Sequence, residues 1–297
     1  MTRASIILPI QPGSAAAARR YAGLVKRGVA RRLWLGQSLR ADTGQLLAGC
    51  GVPVGTSVTL MPLKHPLQAA VDARSLAALT GHPVVAGFGA SSPEFVAALT
   101  GRPYDSPVRE ARAYLTTVRE LIDGGELRGF RLPPLEHPAV EVGAGVLRPA
   151  MARAAADCAD VAITWLTPPA YLREVIVPIL RAGARRPRLV TVVHAALDRP
   201  GRDPARLAGL AAGHHLNAPH YADMLARAGV AAAPDALVAS GVFLSGTAGG
   251  IAARLGEYVE AGVDELVVNT AGVCLADGPT AALAEAEEIL EALRDHT

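Results

Sequence analysis

The sequence predicts one domain, residues 1–297, of the α/β class, folded as a closed (β/α)8 TIM barrel. Eight short apolar segments alternate with helical patterns along these residues, which fits the strand count and length of that fold. Residues 54–89 in particular show the strand–helix–strand pattern that places two parallel strands side by side. An open, doubly wound sheet is the alternative, but the first strand is followed by Ile10-Gln11-Pro12-Gly13 instead of a GxGxxG turn.

Residues 54–89 show why each element is expected. Val54–Leu60 is apolar and rich in β-branched residues, as a buried parallel strand is. The next helix begins at Pro66, because proline is tolerated in the first turn, and it ends at Gly81, which suits a C-terminal cap. Val84–Phe88 is then the following strand.

The same criteria place the other elements in chain order. The remaining predicted strands are Ser5–Ile10, Arg32–Gly36, Ala139–Gly143, Val161–Leu166, Leu189–Ala195 and Glu265–Asn269. The remaining predicted helices are Ser14–Lys26, Thr43–Ala48, Glu94–Leu99, a segment from Ser106 to Gly124, Pro149–Cys158, Tyr171–Leu180 and Pro279–Arg294. Residues 198–261 are predicted to be mainly helical, with breaks at glycine and proline.

Composition excludes several classes of function. Half of the residues (51%) are apolar, so a large core is expected, while a net charge of +2 gives no basic footprint for nucleic acid. No apolar run reaches the roughly 18 residues of a membrane span. Cys50, Cys158 and Cys274 lie far apart, without metal-ligand spacing, which is typical of buried thiols in a reducing, cytoplasmic protein. No metal site is predicted.

The catalytic face of such a barrel lies at the C-terminal ends of its strands. Gly143-Ala144-Gly145, followed by Arg148 and Pro149, is the best candidate phosphate site on this face. Glycine lets an anion approach the backbone, the next helix offers free N–H groups, and arginine adds a charge-assisted contact. The alternative is a glycine turn that packs the helix on the strand beside a surface arginine.

Two side chains are candidate proton donors or acceptors. His194 ends the seventh predicted strand, where an imidazole could exchange a proton with a substrate, and Tyr104 lies in the connection after the fourth. The alternative for His194 is a rim histidine bonded to backbone. His214 and His215 are adjacent in a predicted helix and lack a third ligand with metal spacing.

Several stretches together resemble the luciferase-like flavin- and deazaflavin-dependent oxidoreductases. They are GTSV at residues 55–58, His65-Pro66, GFG at 87–89, and the longer stretches Leu99–Glu126 and Ala139–Pro169. The resemblance implies the barrel, and it implies that the glycine stretch before Arg148 holds the phosphate of a cofactor. It also implies a non-prolyl cis peptide at Ser57-Val58 that supports the cofactor ring. In this family His65 is a structural residue at a helix entry.

The resemblance implies an enzyme that transfers a hydride between the deazaflavin coenzyme F-420 and an organic substrate. An FMN-dependent monooxygenase is the alternative within the family, and a non-catalytic, luciferase-like scaffold or partner subunit is the alternative outside catalysis. The acid and histidine that relatives often place after strand two are absent here, where Gln37 and Ser38 stand instead. The predicted cofactor-binding residues are Ser38, Ser57, Val58, Gly89, Ala90, Gly143, Ala144, Gly145, Val146, Arg148 and Thr164.

The substrate is expected to be a small molecule or a peptide. The connection after the fourth predicted strand lacks the long insertion of many relatives, which suggests an open mouth. A natural-product or modified-peptide intermediate containing a dehydroamino acid would suit such a mouth. Because relatives often dimerise, the resemblance also suggests a homodimer.

Overall fold

The computed structural model describes residues 4–295, and eight parallel strands in it close into a barrel. Each strand pairs with the next along the chain, and the eighth pairs with the first, with Leu266 opposite Ala4. The predicted (β/α)8 fold is therefore confirmed. The strands are β1 (Ala4–Ile7), β2 (Leu33–Leu35), β3 (Val54–Thr56), β4 (Val84–Gly89), β5 (Val140–Gly145), β6 (Val161–Trp165), β7 (Arg188–Leu197) and β8 (Glu265–Asn269).

Helices cover the outside of the barrel. Most begin at a proline, often behind a capping side chain, as the sequence predicts from proline in the first turn. They are α1 (Ala15–Lys26), α2 (Thr43–Ala48), α3 (Pro66–Thr80), α4 (Pro93–Thr100), α5 (Pro107–Ile122), α6 (Pro149–Cys158), α7 (Pro169–Tyr171), α8 (Val177–Ala182), α9 (Pro204–Leu216), α10 (Pro219–Arg227), α11 (Pro234–Ala239), α12 (Ala248–Glu260), α13 (Ala271–Asp277) and α14 (Pro279–Asp295).

The structure corrects two predicted elements. The predicted strand Val54–Leu60 is interrupted after Thr56, and pairing with β4 resumes at Thr59. The predicted helix Tyr171–Leu180 is a longer helical segment with a π-helical middle, Leu172–Ile176, because Pro178 cannot donate the backbone hydrogen bond of a regular turn.

Other elements were not predicted. Within residues 198–261, Phe243–Gly246 forms a strand that pairs with the outer half of β7, from His194 to Leu197. The short hairpin at residues 126–131 and helix α13 were also missed. Each is short and lies among glycine and alanine residues, where periodicity carries little signal.

The N-terminal end of the barrel interior is filled by a buried ionic network. The carboxylate of Glu265, which is fully buried, accepts hydrogen bonds from Ser5 Oγ at 2.7 Å and Trp34 Nε1 at 2.9 Å. Arg188 Nη1 lies 3.5 Å from the other Glu265 oxygen, while Arg188 Nη2 lies 2.8 and 2.9 Å from the two oxygens of Glu141. Pairs of oppositely charged side chains thus fill the N-terminal end of the barrel interior.

Above this network an apolar layer fills the middle of the barrel. The layer comprises Ile7, Trp34, Val85, Val161, Ile163, Val190, Val192 and Val267. The C-terminal mouth of the barrel lies beyond this layer.

Candidate functional site

The residues after β3 meet the end of β5 at the C-terminal mouth of the barrel. The Ser57-Val58 peptide bond is cis, as the resemblance implied. A Cβ placed on Gly145 would lie 3.6 Å from Val58 Cγ1, and one placed on Gly89 would lie 2.6 Å from Val58 Cγ2. The GTSV stretch and the predicted phosphate site therefore lie on the same rim.

The glycines of this rim serve two different purposes. A Cβ on Gly87 would lie 2.1 Å from the Thr56 carbonyl oxygen, and one on Gly143 would lie 3.0 Å from Ile163 Cδ1. Close packing of the barrel wall explains both. A Cβ on Gly145, in contrast, would meet nothing closer than 3.5 Å, so packing does not require glycine there. A side chain at Gly145 would make only ordinary van der Waals contacts with Phe88, Val58 and Gly89.

Arg148 follows this rim and precedes α6. Its side chain is half exposed, and its Nη1 lies 3.2 Å from Asp223 Oδ2 on α10. Arg227 Nε lies 3.1 Å from the same carboxylate, and the two guanidinium groups hold the pKa of Asp223 below its usual range. The arginine predicted to bind phosphate thus lies at the start of a helix, in a surface ion pair that joins this loop to α10.

The part of the mouth next to β5 is lined by rings instead of glycines. Trp165, at the end of β6, meets His194 of β7 edge to face, with 5.2 Å between ring centroids. His194 is 1% exposed and also stacks on Phe243 at 6.5 Å. Burial away from water, with a smaller contribution from His215, lowers the pKa of His194 to about 3. This imidazole is neutral near pH 7.

Helices α9 and α10 extend this group of rings outward. The His215 ring lies 5.6 Å from Trp165 and 4.9 Å from Tyr221. Burial, together with the neighbouring His214 and His220, lowers the pKa of His215 to about 4. His215 was predicted only to lie in a helix, and no role was predicted for Tyr221 or Asp223. The sequence feature that could have indicated this site is the clustering of three histidines and a tyrosine within residues 214–221.

Polar atoms without hydrogen-bond partners concentrate at this mouth. Of nine such buried side-chain atoms among residues 4–295, five lie here. They are Ser57 Oγ, Trp165 Nε1, both ring nitrogens of His194, and His215 Nδ1. Because a buried polar atom without a partner costs about 1–3 kcal/mol, such a concentration indicates a place where a ligand supplies the missing partners.

Strained backbone occurs on the same rim. Ser91, which follows β4, and Leu166, which follows β6, have φ values of 68° and 54°. Non-glycine residues rarely adopt this left-handed conformation, and such residues cluster at functional sites.

Some predicted cofactor-binding residues are engaged elsewhere. Ser38 Oγ donates a hydrogen bond to the Gln11 side chain, and Thr164 Oγ1 lies 2.6 Å from Thr191 Oγ1 between buried strands. Ala144 and Val146 belong to the core between barrel and helices, and Ala90 is half-buried at the rim. Gln37 accepts a hydrogen bond from the Leu60 amide. These side chains support the rim, while Ser57, Val58, Gly89 and Gly145 border the mouth.

Tyr104 interacts electrostatically with Glu110 and Tyr114, and burial raises its pKa. The Tyr114 ring packs 5.4 Å from Phe88, a residue in the core between barrel and helices. The structure does not bring the two predicted proton-transfer residues together. Within residues 4–295 no group of three or more His, Cys, Asp or Glu side chains could hold a metal, and no helix is long and apolar enough to cross a membrane.

Solved structures with this fold cover nearly the whole chain. One is an F-420-dependent secondary alcohol dehydrogenase in complex with an F-420–acetone adduct, at 15% identity, with 99% of each chain covered and a TM-score of 0.76. Another is the coenzyme F-420-dependent tetrahydromethanopterin reductase from Methanopyrus kandleri, at 14% identity, 98% of each chain and a TM-score of 0.73.

A third is the oxygenating constituent of 3,6-diketocamphane monooxygenase from Pseudomonas putida in complex with FMN, at 16% identity, with 97% of this chain and 96% of that one covered and a TM-score of 0.67. At these identities the likeness concerns the fold. No curated protein sequence matches the chain. The model of the luciferase-like monooxygenase family, however, matches residues 11–265. The chain therefore belongs to the luciferase-like monooxygenase family.

Proposed function

We propose that this protein is an oxidoreductase that transfers a hydride between coenzyme F-420 and an organic substrate at the C-terminal mouth of the barrel. The observation that carries the proposal is the concentration of buried polar atoms without partners at this mouth, beside Gly145, where packing does not require glycine, and close in sequence to Arg148 at the start of α6. That arrangement suits a flat ring joined to an anionic tail.

The residues present fit such a cofactor. Its ring would lie beside Gly145 and Val58, where Ser57 Oγ lacks a hydrogen-bond partner that the polar edge of a ring can supply. Its phosphate would meet Arg148 and the free N–H groups at the start of α6. When bound, the deazaflavin supplies the hydride chemistry, and the protein binds and orients the reactants.

Two observations support F-420 over FMN. The first is the GTSV stretch, through its resemblance to deazaflavin-dependent enzymes. The second is that two solved structures with TM-scores of 0.76 and 0.73 are F-420-dependent by name. The FMN-dependent alternative is favoured by the monooxygenase description of the family and by the FMN-bound structure at a TM-score of 0.67.

A non-catalytic scaffold is the second candidate. It is favoured by Gln37 and Ser38, which replace the acid and histidine of many relatives and are engaged in hydrogen bonds within the protein. A scaffold would bind neither cofactor. We further propose that the substrate is a natural-product or modified-peptide intermediate and that the protein forms a homodimer.

The experiment is a titration of the purified protein with oxidised F-420 and with FMN, monitored by cofactor fluorescence. We expect saturable binding of F-420 that is at least about tenfold tighter than binding of FMN, since tenfold corresponds to about 1.4 kcal/mol. Tighter FMN binding would replace the proposal by the FMN alternative. Binding of neither would favour the scaffold.

Charge reversal tests the phosphate site. Arg148→Glu is expected to abolish F-420 binding, because a carboxylate would then face the anionic tail. Arg153→Glu is the matched control, because Arg153 is an exposed arginine farther along the same helix. If Arg153→Glu weakens binding as much as Arg148→Glu, the effect comes from overall charge, and the proposed position of the phosphate is wrong.

A further inference from the structure

We propose that the rings of Trp165, His194 and His215 form a subsite for a neutral, planar group that carries a carbonyl, such as an aryl ketone or an unsaturated amide. We refer to these three side chains as the ring subsite. The identification of its ligand as the substrate rests on the proposed function, whereas the binding itself does not.

The three rings of the subsite pack against one another through Trp165. Trp165 lies between the two imidazoles, with centroid distances of 5.2 Å to His194 and 5.6 Å to His215. Trp165 and His215 keep partial exposure, while His194 beneath them is 1% exposed. The three rings thus form an aromatic surface that a flat ligand could cover, and flat rings pack favourably on such surfaces.

Four buried nitrogen atoms of the ring subsite have no hydrogen-bond partner. Trp165 Nε1 is a donor without a partner, and both nitrogens of His194 are without partners, as is His215 Nδ1. A neutral imidazole has one N–H donor and one acceptor nitrogen. The subsite therefore offers at least two donors, from Trp165 and His194, and a carbonyl oxygen has two lone pairs to accept both.

The ring subsite is uncharged near pH 7. Depressed pKa values keep His194 and His215 uncharged near pH 7, so the subsite has no cation to compensate a buried carboxylate. An ammonium group could interact with the ring faces, but it would leave the N–H donors of Trp165 and His194 without acceptors. A neutral acceptor group fits better than either ion.

The ring subsite adjoins the space assigned to the cofactor. Gly145 of β5 pairs with Ile163 of β6, two residues before Trp165, and Trp165 pairs with Val192 of β7, two residues before His194. A planar group on the ring subsite would therefore lie beside whatever occupies the space above Gly145.

The test uses the two indole N–H signals of the protein in a ¹H–¹⁵N NMR spectrum. Trp34 and Trp165 are the two tryptophans of the sequence, and the Trp34 N–H is bound to Glu265 in the barrel interior. We expect acetophenone, added without cofactor, to shift the Trp165 signal saturably and to leave the Trp34 signal in place. Benzoate and benzylamine, the anionic and cationic analogues, are expected to cause no shift at the same concentrations.

Variants assign the effect to the ring subsite. Trp165→Phe identifies the signal. His194→Phe keeps a ring but removes both nitrogens, and it is expected to weaken acetophenone binding at least about tenfold, because the carbonyl loses a donor. His214→Phe is the matched control on the exposed neighbour of His215, and it should bind acetophenone as the unmodified protein does. An unchanged Trp34 signal shows that each variant is folded.

Several outcomes would overturn the inference. They are no shift with acetophenone, equal shifts of both indole signals, equally strong binding of benzoate or benzylamine, and unchanged affinity in His194→Phe. These outcomes are independent of the cofactor titration. Acetophenone binding without F-420 or FMN binding would overturn the proposed function alone, and cofactor binding without acetophenone binding would overturn the ring subsite alone.

Discussion

The two ends of the barrel interior differ in whether their buried polar groups have partners, although the same strands form both ends. Strand β7 begins at Arg188, which pairs with Glu141 and Glu265, and it contains His194 near the other end, where neither ring nitrogen has a partner. Strand β5 likewise carries the paired Glu141 near its start and ends at Gly145, where packing does not require glycine. The N-terminal end is built for stability, and the C-terminal mouth keeps hydrogen-bonding capacity for a ligand.

This comparison predicts the largest loss of stability at the N-terminal end. Glu265→Ala should lower the free energy of unfolding by about 3–5 kcal/mol, because Arg188 and Arg32 would be left near each other without their buried counter-charge. Urea denaturation measures the change. If the variant does not fold, Glu265→Gln, which can still accept from Ser5 and Trp34, should give a smaller loss.

The control is an exposed ion pair. Glu174→Ala removes the partner of Arg173 on the surface and should cost less than about 1 kcal/mol. Equal losses at Glu265 and Glu174 would mean that the N-terminal network does not hold the barrel together, and the contrast between the two ends would fail.

An intermediate effect is expected at the mouth, and it depends on pH. The pKa of His194 is about 3 in the folded protein and near 6.5 when unfolded, so below pH 6.5 the unfolded chain takes up a proton that the folded chain does not. The stability from keeping His194 neutral is therefore complete above pH 6.5 and is lost progressively as the pH falls toward 3.

The measurement compares the protein with His194→Phe. Between about pH 7.5 and about pH 5.5 the unmodified protein should lose roughly 1.4 kcal/mol more unfolding free energy than the variant. The comparison removes the contributions that both proteins share, such as the carboxylate of Asp160, whose pKa Arg119 and Arg185 hold down against the raising effect of burial. Identical pH profiles would show that His194 takes up its proton at the same pH in the folded protein as in the unfolded chain, and the lowered pKa of His194 would be wrong.

The barrel could be predicted from the sequence because its information is local. Apolar strands and proline-initiated helices recur within windows of a few residues, and Pro149–Cys158 and Glu265–Asn269 were predicted with their observed bounds. The mouth depends on contacts between distant residues. Trp165 meets His215 across fifty positions, and Asp223 meets Arg148 across seventy-five, and no periodicity encodes such pairs.

The same limit explains why the predicted site residues lie in different surroundings. Ser57, Val58 and Gly145 border the mouth because strand ends must meet there, whereas the side chain of Thr164 turns to Thr191, since successive residues of a strand face opposite sides. Strand register decides which of two neighbours faces the ligand. That register is fixed by the closed sheet as a whole.

The smallest expected effect concerns the ion pair that links the two sides of the mouth. Asp223 competes with an anionic ligand for the guanidinium of Arg148, and the pair is exposed, so its removal should have a modest effect. Asp223→Asn should strengthen F-420 binding about two- to fivefold, read by the same fluorescence titration. Arg227→Ala, which removes only the other partner of Asp223, should not strengthen it. Weaker binding in Asp223→Asn would mean that Asp223 positions Arg148 for the ligand instead of competing with it, and α10 would then be part of the phosphate site.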